Sequence, residues 1–277
     1  MVLSLSLCRR LGRRTFHRMN HVRLESIPPA DRTTDTQLFS RRSFRSDLRQ
    51  FRHVFLASSQ SYEVDSSATE TGYLVLDGQI RLEDDSLAID VEAPAVVKCP
   101  VSALHRIVNP SVATAQILTV VVDLSSPKIP QSPSCAAESV DDERLNWRPA
   151  IHGGCGRIAS RHIWSQEDFT SSWTFLDHAI LERGSSVGYH HHAGLEESFV
   201  VLDGSGIMTI DGDTFDVGPG SVTLQGIEEG HGIYNPNSEP LVFLRVAVGI
   251  AGEPFTTVDL GDDLATREPA PPIRGAD

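Results

Sequence analysis

Three histidines and a carboxylate between residues 184 and 231 define the chemistry open to this chain. His190 and His192 lie two residues apart, so on a β-strand both imidazoles leave the same face. Glu197 follows after a turn-forming Ala193 and Gly194, and His231 arrives from a later strand. Neutral imidazole nitrogens with one carboxylate oxygen suit Fe, Mn, Ni, Cu or Zn better than Ca or Mg. One divalent transition metal is therefore the expected cofactor. Its expected ligands are His190, His192, Glu197 and His231, with Glu197 also the catalytic candidate. Such a set leaves one or two coordination positions for water, dioxygen or a bidentate substrate, which marks a catalytic rather than a structural site. Burying these groups without an ion would leave polar atoms unpaired.

Strand alternation sorts the neighbours. Phe199 and Val201 share the parity of Glu197 and are expected to face the same interior, whereas Glu196 and His191 point away, toward the surface or an outer layer. Tyr189 and Tyr234 also alternate out of register with the site. Arg245 lies opposite Val242, Leu244, Val246 and Val248, so it reads as a surface residue, or as a substrate carboxylate binder if it faces inward. Glu228 and Glu229 precede His231 as loop carboxylates, with an acid–base pair as the sharper alternative. His152 to Cys155 reads as a glycine-rich turn, since two potential donors make no metal site.

The elements that must hold these residues are strands. Tyr73–Leu76, Gln79–Leu82, Ala115–Val122, Thr174–Leu181, Ser198–Leu202, Ile207–Ile210 and Leu241–Val248 are β-rich runs bounded by turn residues or short polar stretches. Asp77 with Gly78, Asp203 with Gly204 and Asp211 with Gly212 are hairpin signals. A repeat underlies them. Val75 to Gly78 recurs as Val201 to Gly204, Asp90 and Val91 as Asp216 and Val217, and His105 with Asn109 and Pro110 as His231 with Asn235 and Pro236, each 126 residues apart. In the first copy Val64, Ser66 and Thr71 stand where the second has His190, His192 and Glu197; only His105 matches a ligand. A lone histidine is expected to be buried and hydrogen-bonded. The first copy then reads as a structural partner that buries an edge of the second or covers its mouth.

These residues resemble the cupins. The first cupin motif, Gly-x5-His-x-His-x4-Glu-x6-Gly, is matched by Gly184, His190, His192, Glu197 and Gly204. The second is matched at Gly220, His231 and Asn235, but Gly226 stands where proline is usual and Glu228 where glycine is usual. The resemblance implies an all-β fold of two tandem double-stranded β-helix (jelly-roll) barrels, a bicupin with a degenerate first half. It also implies a metal-dependent enzyme acting on a small-molecule substrate. A dioxygenase is the leading expectation among such three-histidine, one-glutamate proteins. The alternatives are a redox-neutral isomerase, lyase or decarboxylase, and a non-enzymatic small-molecule-binding cupin. A monomer or a homodimer suits the internal symmetry.

Residues 1–18 are Arg-rich and free of acid, which suits a mitochondrial presequence or an upstream extension before a true start at Met19. A cytoplasmic or mitochondrial location follows. The remaining organisation is expected to be an arm over 19–50, the degenerate barrel over 51–123, a Ser- and Pro-rich linker over 124–156, the metal-binding barrel over 157–261 and a mobile tail over 262–277. Residues 1–53 carry 12 Arg against 4 acidic residues, and the remainder 12 basic against 33 acidic, within a net charge of −13. An acidic body argues against nucleic acid as a partner. No apolar run approaches the ~20 residues that cross a bilayer, so no membrane role is expected. The four cysteines, Cys8, Cys99, Cys135 and Cys155, show no paired spacing and no disulfide framework is expected.

Overall fold

A computed structural model describes residues 20–24, 32–39, 41–84, 88–101, 105–125, 134–261 and 264–269. The presequence or extension over 1–18, and Met19, lie outside the described residues. Among the described residues the chain forms four antiparallel sheets, two centred on each half of the repeat. In the first half, six strands run in the order Ala136–Ser139, Ala95–Cys99, Thr69–Asp77, Ala115–Asp123, Leu48–Leu56 and Thr34–Gln37, and four more pair around Gln79–Asp84. In the second half, a seven-stranded sheet centres on Leu195–Asp203, Leu241–Gly249 and Trp173–Leu181. A five-stranded sheet carries Gly206–Ile210, His231–Tyr234 and Ser186–Ala193. Thr69–Asp77 and Leu195–Asp203, like Ala115–Asp123 and Leu241–Gly249, are related by the 126-residue offset of the sequence repeat. The fold is that of two tandem jelly-roll barrels.

The core divides into three layers. One fills the first barrel (Tyr73, Val75, Ile80, Leu82, Ile107) and one the second (Phe199, Val201, Met208, Ile233, Phe243). The third lies between them. Leu74, Leu118 and Val120 from one large sheet meet Trp173, Val200, Leu244 and Val246 from the other. The central strands are therefore buried on both faces, which explains their near-continuous apolar runs. The halves pack sheet face to sheet face. Among the described residues this contact is between faces, and His21–Arg23 covers an edge of the second barrel.

The segments read as arm, linker and tail contain regular structure. His21–Arg23 pairs with Ser221–Thr223 of the second barrel, and Thr34–Gln37 pairs with Leu48–Leu56 of the first. Within the linker, Ala136–Ser139 joins Ala95–Cys99, and Asn146–Pro149 joins Arg157–Ser165. These are edge strands whose partners supply the order, so they lack an apolar period of their own. Residues 126–133 of the linker lie outside the described residues. So does most of the tail, but its Leu264 is buried and Arg267 sits 4.4 Å over the Tyr189 ring. Among the described residues no helix is long and apolar enough to cross a membrane.

Candidate metal centre

Ser186–Ala193 carries His190 and His192 on its inner face, Leu195–Asp203 carries Glu197, and His231–Tyr234 opens with His231. His190 and His231 are direct cross-strand partners. Gly194, at φ +84°, lets the chain turn between the strands that carry His192 and Glu197, in a region that side chains disfavour. Gly188 is needed for a different reason: a Cβ there would lie 1.9 Å from the His152 carbonyl oxygen. The 151–155 segment runs against this strand, with Gly188 N–H donating to the Ile151 carbonyl.

The four side chains converge. Their donor atoms all lie within 4.8 Å of one another, and the exposures of His190, His192, Glu197 and His231 are 0, 5, 1 and 1 %. Nε2 of His190 and Nε2 of His192 are 3.2 Å apart. Glu197 Oε2 lies 3.0 Å from His231 Nε2 and 3.4 Å from His192 Nε2. Donors bound at right angles around an ion, at about 2.1 Å each, would be about 3.0 Å apart, so the cluster has the dimensions of a coordination sphere. The other ring nitrogens are engaged. Nδ1 of His190 bonds the Gly188 carbonyl, Nδ1 of His231 the Glu229 carbonyl, and Nδ1 of His192 the Thr257 hydroxyl. A carbonyl takes the Nδ1 proton and leaves Nε2 as a lone pair aimed inward, as in metal-binding histidines. The cluster could therefore bind a metal ion.

The electrostatics agree. Burial opposes ionisation of Glu197, but Arg245 and the hydrogen bonds to His192 and His231 outweigh it and hold the carboxyl well below its usual range. Burial, then His231, pushes His190 down to about 2, so its imidazole is neutral. Arg245 is a correction to the surface reading. It is buried, ion-paired to Asp177, with Nη1 3.3 Å from Glu197 Oε1. Burial penalises its charge, yet Asp177 and Glu197 raise its pKa above the usual arginine value. Asp177 in turn bonds His162, half-exposed at the barrel surface.

Other expectations also change. Glu196 points away from the four donors as alternation requires, but it is buried: it accepts hydrogen bonds from Arg45 N–H, Ser46 N–H and Ser46 Oγ. Glu228 is exposed and 4.0 Å from Arg45, while Glu229 accepts from the Gly226 and Asn20 nitrogens, so the two form no acid–base pair. That bond explains the missing proline, which has no N–H to offer at position 226. Glu228 keeps the backbone of the usual glycine, at φ +67°. Phe199 is fully buried, edge-on to His231 with ring centres 6.4 Å apart. His191 is half-buried on the opposite strand face. His152, read as part of a bland turn, stacks on His190 at 3.9 Å with Nδ1 3.3 Å from Asp259 Oδ1. Burial lowers its pKa. Its signal in the sequence was the flanking pair Gly153 and Gly154, which permits close approach but does not say to what. A groove of about 790 Å³ lies elsewhere, between Leu76, Gln116, His178 and Val201, and none of the four donors lines it.

The fold is a double barrel with a cluster that could hold a metal ion in its second half, and the comparisons place the fold. Residues 178–247 match the Cupin domain family. The chain is 31% identical over 98 residues to the Oxalate-binding protein of Thermotoga maritima, a match that spans 35% of this chain and 81% of that protein. This chain belongs to the cupin superfamily. Its fold is also that of salicylate 1,2-dioxygenase from Pseudaminobacter salicylatoxidans (TM-score 0.59, 10% identity, 74% of this chain and 72% of that one). A mutant oxalate decarboxylase from Bacillus subtilis is similar too (TM-score 0.56, 15% identity, 82% and 74%).

Proposed function

We propose that the chain is a metal-dependent enzyme of the dioxygenase type, acting on a small substrate that chelates through two oxygens. The observation that carries this reading is the convergence of His190, His192, Glu197 and His231, buried and with their nitrogens already oriented. These four residues are the proposed ligands. A divalent Fe, Mn, Ni, Zn or Cu ion there supplies Lewis acidity and, if redox-active, electron transfer to dioxygen. The chain supplies the rest. Arg245 holds Glu197 Oε1, which keeps Oε2 toward the histidines. Phe199 keeps water from the back of the site. His152, stacked on His190 and anchored to Asp259 through Nδ1, is the proposed acceptor of a substrate hydroxyl proton.

A second reading rests on the Thermotoga maritima relative, whose name describes oxalate binding. In it the site holds a small dicarboxylate, with redox-neutral decarboxylation or simple binding as the outcome. Purified protein should contain close to one transition metal per chain. Oxygen uptake with enolic, diketone or hydroxy-aromatic acid substrates supports the first reading. Anaerobic carbon dioxide release supports redox-neutral turnover, and tight oxalate binding without turnover leaves a binding module. His192→Ala should lose metal and activity while staying folded; unchanged metal content in that variant would refute the ligand assignment.

A further inference from the structure

The first barrel has lost the histidines of the metal motif, yet its interior holds a second cluster of metal-type donors. Cys99 ends the strand Ala95–Cys99, His105 opens the strand His105–Val108, and Cys135 stands just before Ala136–Ser139. The last strand pairs with the first, Ala136 opposite Lys98, which brings Cys135 out of the linker and into the barrel. Their donor atoms lie within 4.8 Å of one another and all three residues are buried. Both cysteines are free thiols. We propose that Cys99, His105 and Cys135 form a second metal site, specific for a thiophilic ion such as Zn(II) or Cu(I).

Two observations support the site beyond proximity. Its place is conserved by the internal repeat: His105 stands where the second barrel has His231, and Cys99 where it has Gln225, whose backbone pairs with Glu197. Only His105 repeats one of the four donors of the second barrel, and the sulfur donors of the first come from other positions. Its surroundings are apolar, yet polar groups gather at this one point. The Tyr73 hydroxyl lies 2.8 Å from His105 Nε2 and fixes the ring, as an outer partner of a metal ligand does. Buried cysteine alone behaves as a small hydrophobe; two thiols with an imidazole are a soft donor set that selects Zn or Cu(I) over harder ions. Zinc–sulfur bonds of about 2.3 Å and zinc–nitrogen bonds of about 2.0 Å need donors roughly 3.5–3.8 Å apart, within reach of small side-chain rotations here. Binding converts both thiols to thiolates and releases two protons, with no change of oxidation state. An ion here would pin the linker strand to the first barrel, independently of the proposed site in the second.

Cobalt(II) tests this, because thiolate ligation gives a near-ultraviolet charge-transfer band that histidine and carboxylate ligands do not. Full-length protein, reduced and stripped with chelator, should develop that band to one ion per chain and lose it when Zn(II) is added. Cys135→Ser should abolish it, while Cys155→Ser, at an exposed thiol, and His192→Ala, in the other barrel, should retain it. In the His192→Ala protein, Zn(II) should raise the melting temperature by several degrees, since ligand binding to the native state stabilises it. No charge-transfer band in the reduced wild type overturns the proposal, as does a band that survives in Cys135→Ser. If Cys135→Ser fails to fold, the melting shift in His192→Ala decides: no shift with Zn(II) rejects the site.

Discussion

Arg245 shows how a single side chain can govern both stability and chemistry. Its guanidinium lies between two buried carboxylates, Asp177 and Glu197, and is itself buried. Desolvating three charged groups is unfavourable, and the arrangement is stable only while each has its partners. Arg245→Met should therefore destabilise the metal-free protein by about 3–5 kcal/mol, read as a lower urea midpoint, because two carboxylates are left without their cation. Metal affinity should fall as well, since Glu197 Oε1 loses the contact that orients it. Arg245→Lys should recover part of the stability and less of the affinity, because one ammonium cannot span both carboxylates as a planar fork does.

The imidazoles of the cluster give a pH dependence of defined sign. His190 titrates at about 2 in the folded chain, against 6.5 for an unperturbed histidine, because burial and then His231 disfavour its charge. As pH falls below the unfolded value, the unfolded chain takes up a proton that the native state refuses, so stability is lost toward acid. His152, also lowered by burial, adds in the same direction. His162 acts oppositely: its bond to Asp177 raises its pKa, so its contribution is present at low pH and lost as pH rises through its folded value. It is half-exposed, so its effect is the smaller. Urea midpoints of chelator-treated protein should fall between pH 7 and pH 5, and His190→Gln should flatten that slope. A midpoint independent of pH across this window would contradict the buried, neutral state of His190.

At the scale of elements, the loop between Gly226 and Gly230 replaces the usual motif residues with a different way of making the same turn. Glu229 reaches back to the Gly226 N–H, and Glu228 occupies a left-handed conformation while its N–H bonds the His192 carbonyl. A side chain in that conformation costs about 1–2 kcal/mol, partly offset by the greater unfolded-state freedom of glycine. Glu228→Gly should raise stability by about 1 kcal/mol and leave metal content unchanged, as thermal melts and elemental analysis would show. The strands that carry the four proposed ligands were legible in the sequence because period-two spacing and the hairpin glycines encode them directly. It did not place Arg245, because alternation correctly set it opposite Val242, Leu244 and Val246 but both faces of that strand are buried. Nor could it find the 151–155 segment or Thr256–Asp259 beside the histidine strand. Backbone hydrogen bonds hold those segments in place, and their own side chains carry no apolar period.

At the scale of the whole molecule, the repeat produces two reciprocal latches. Glu196 of the second barrel accepts hydrogen bonds from the Arg45 and Ser46 backbone just before the strand Leu48–Leu56 of the first barrel. Its repeat partner Glu70 accepts them from Thr170 and Ser171, before the corresponding strand of the second. Between the latches, Trp173 packs onto Gly72, where a Cβ would lie 2.9 Å from the indole, and stacks on Phe169 at 4.9 Å. The domain boundaries proposed from sequence therefore cut through a shared core. A fragment of residues 157–261 would keep all four proposed ligands but expose Trp164, Phe169, Trp173, Val200, Leu244 and Val246, an apolar face of the kind that drives aggregation. Expressed alone, it should be insoluble or molten, whereas the full chain should unfold in one transition seen equally by both halves. Glu196→Ala leaves the buried Ser46 N–H and the half-buried Arg45 N–H without their acceptor and should cost about 2–4 kcal/mol. Glu70→Ala should cost a similar amount, and the double variant should show their sum, because the latches share no partner. Separate unfolding transitions for the two barrels in the wild-type chain would show that the shared layer does not couple them. The degenerate half would then be dispensable for the proposed metal centre rather than required to bury its outer sheet.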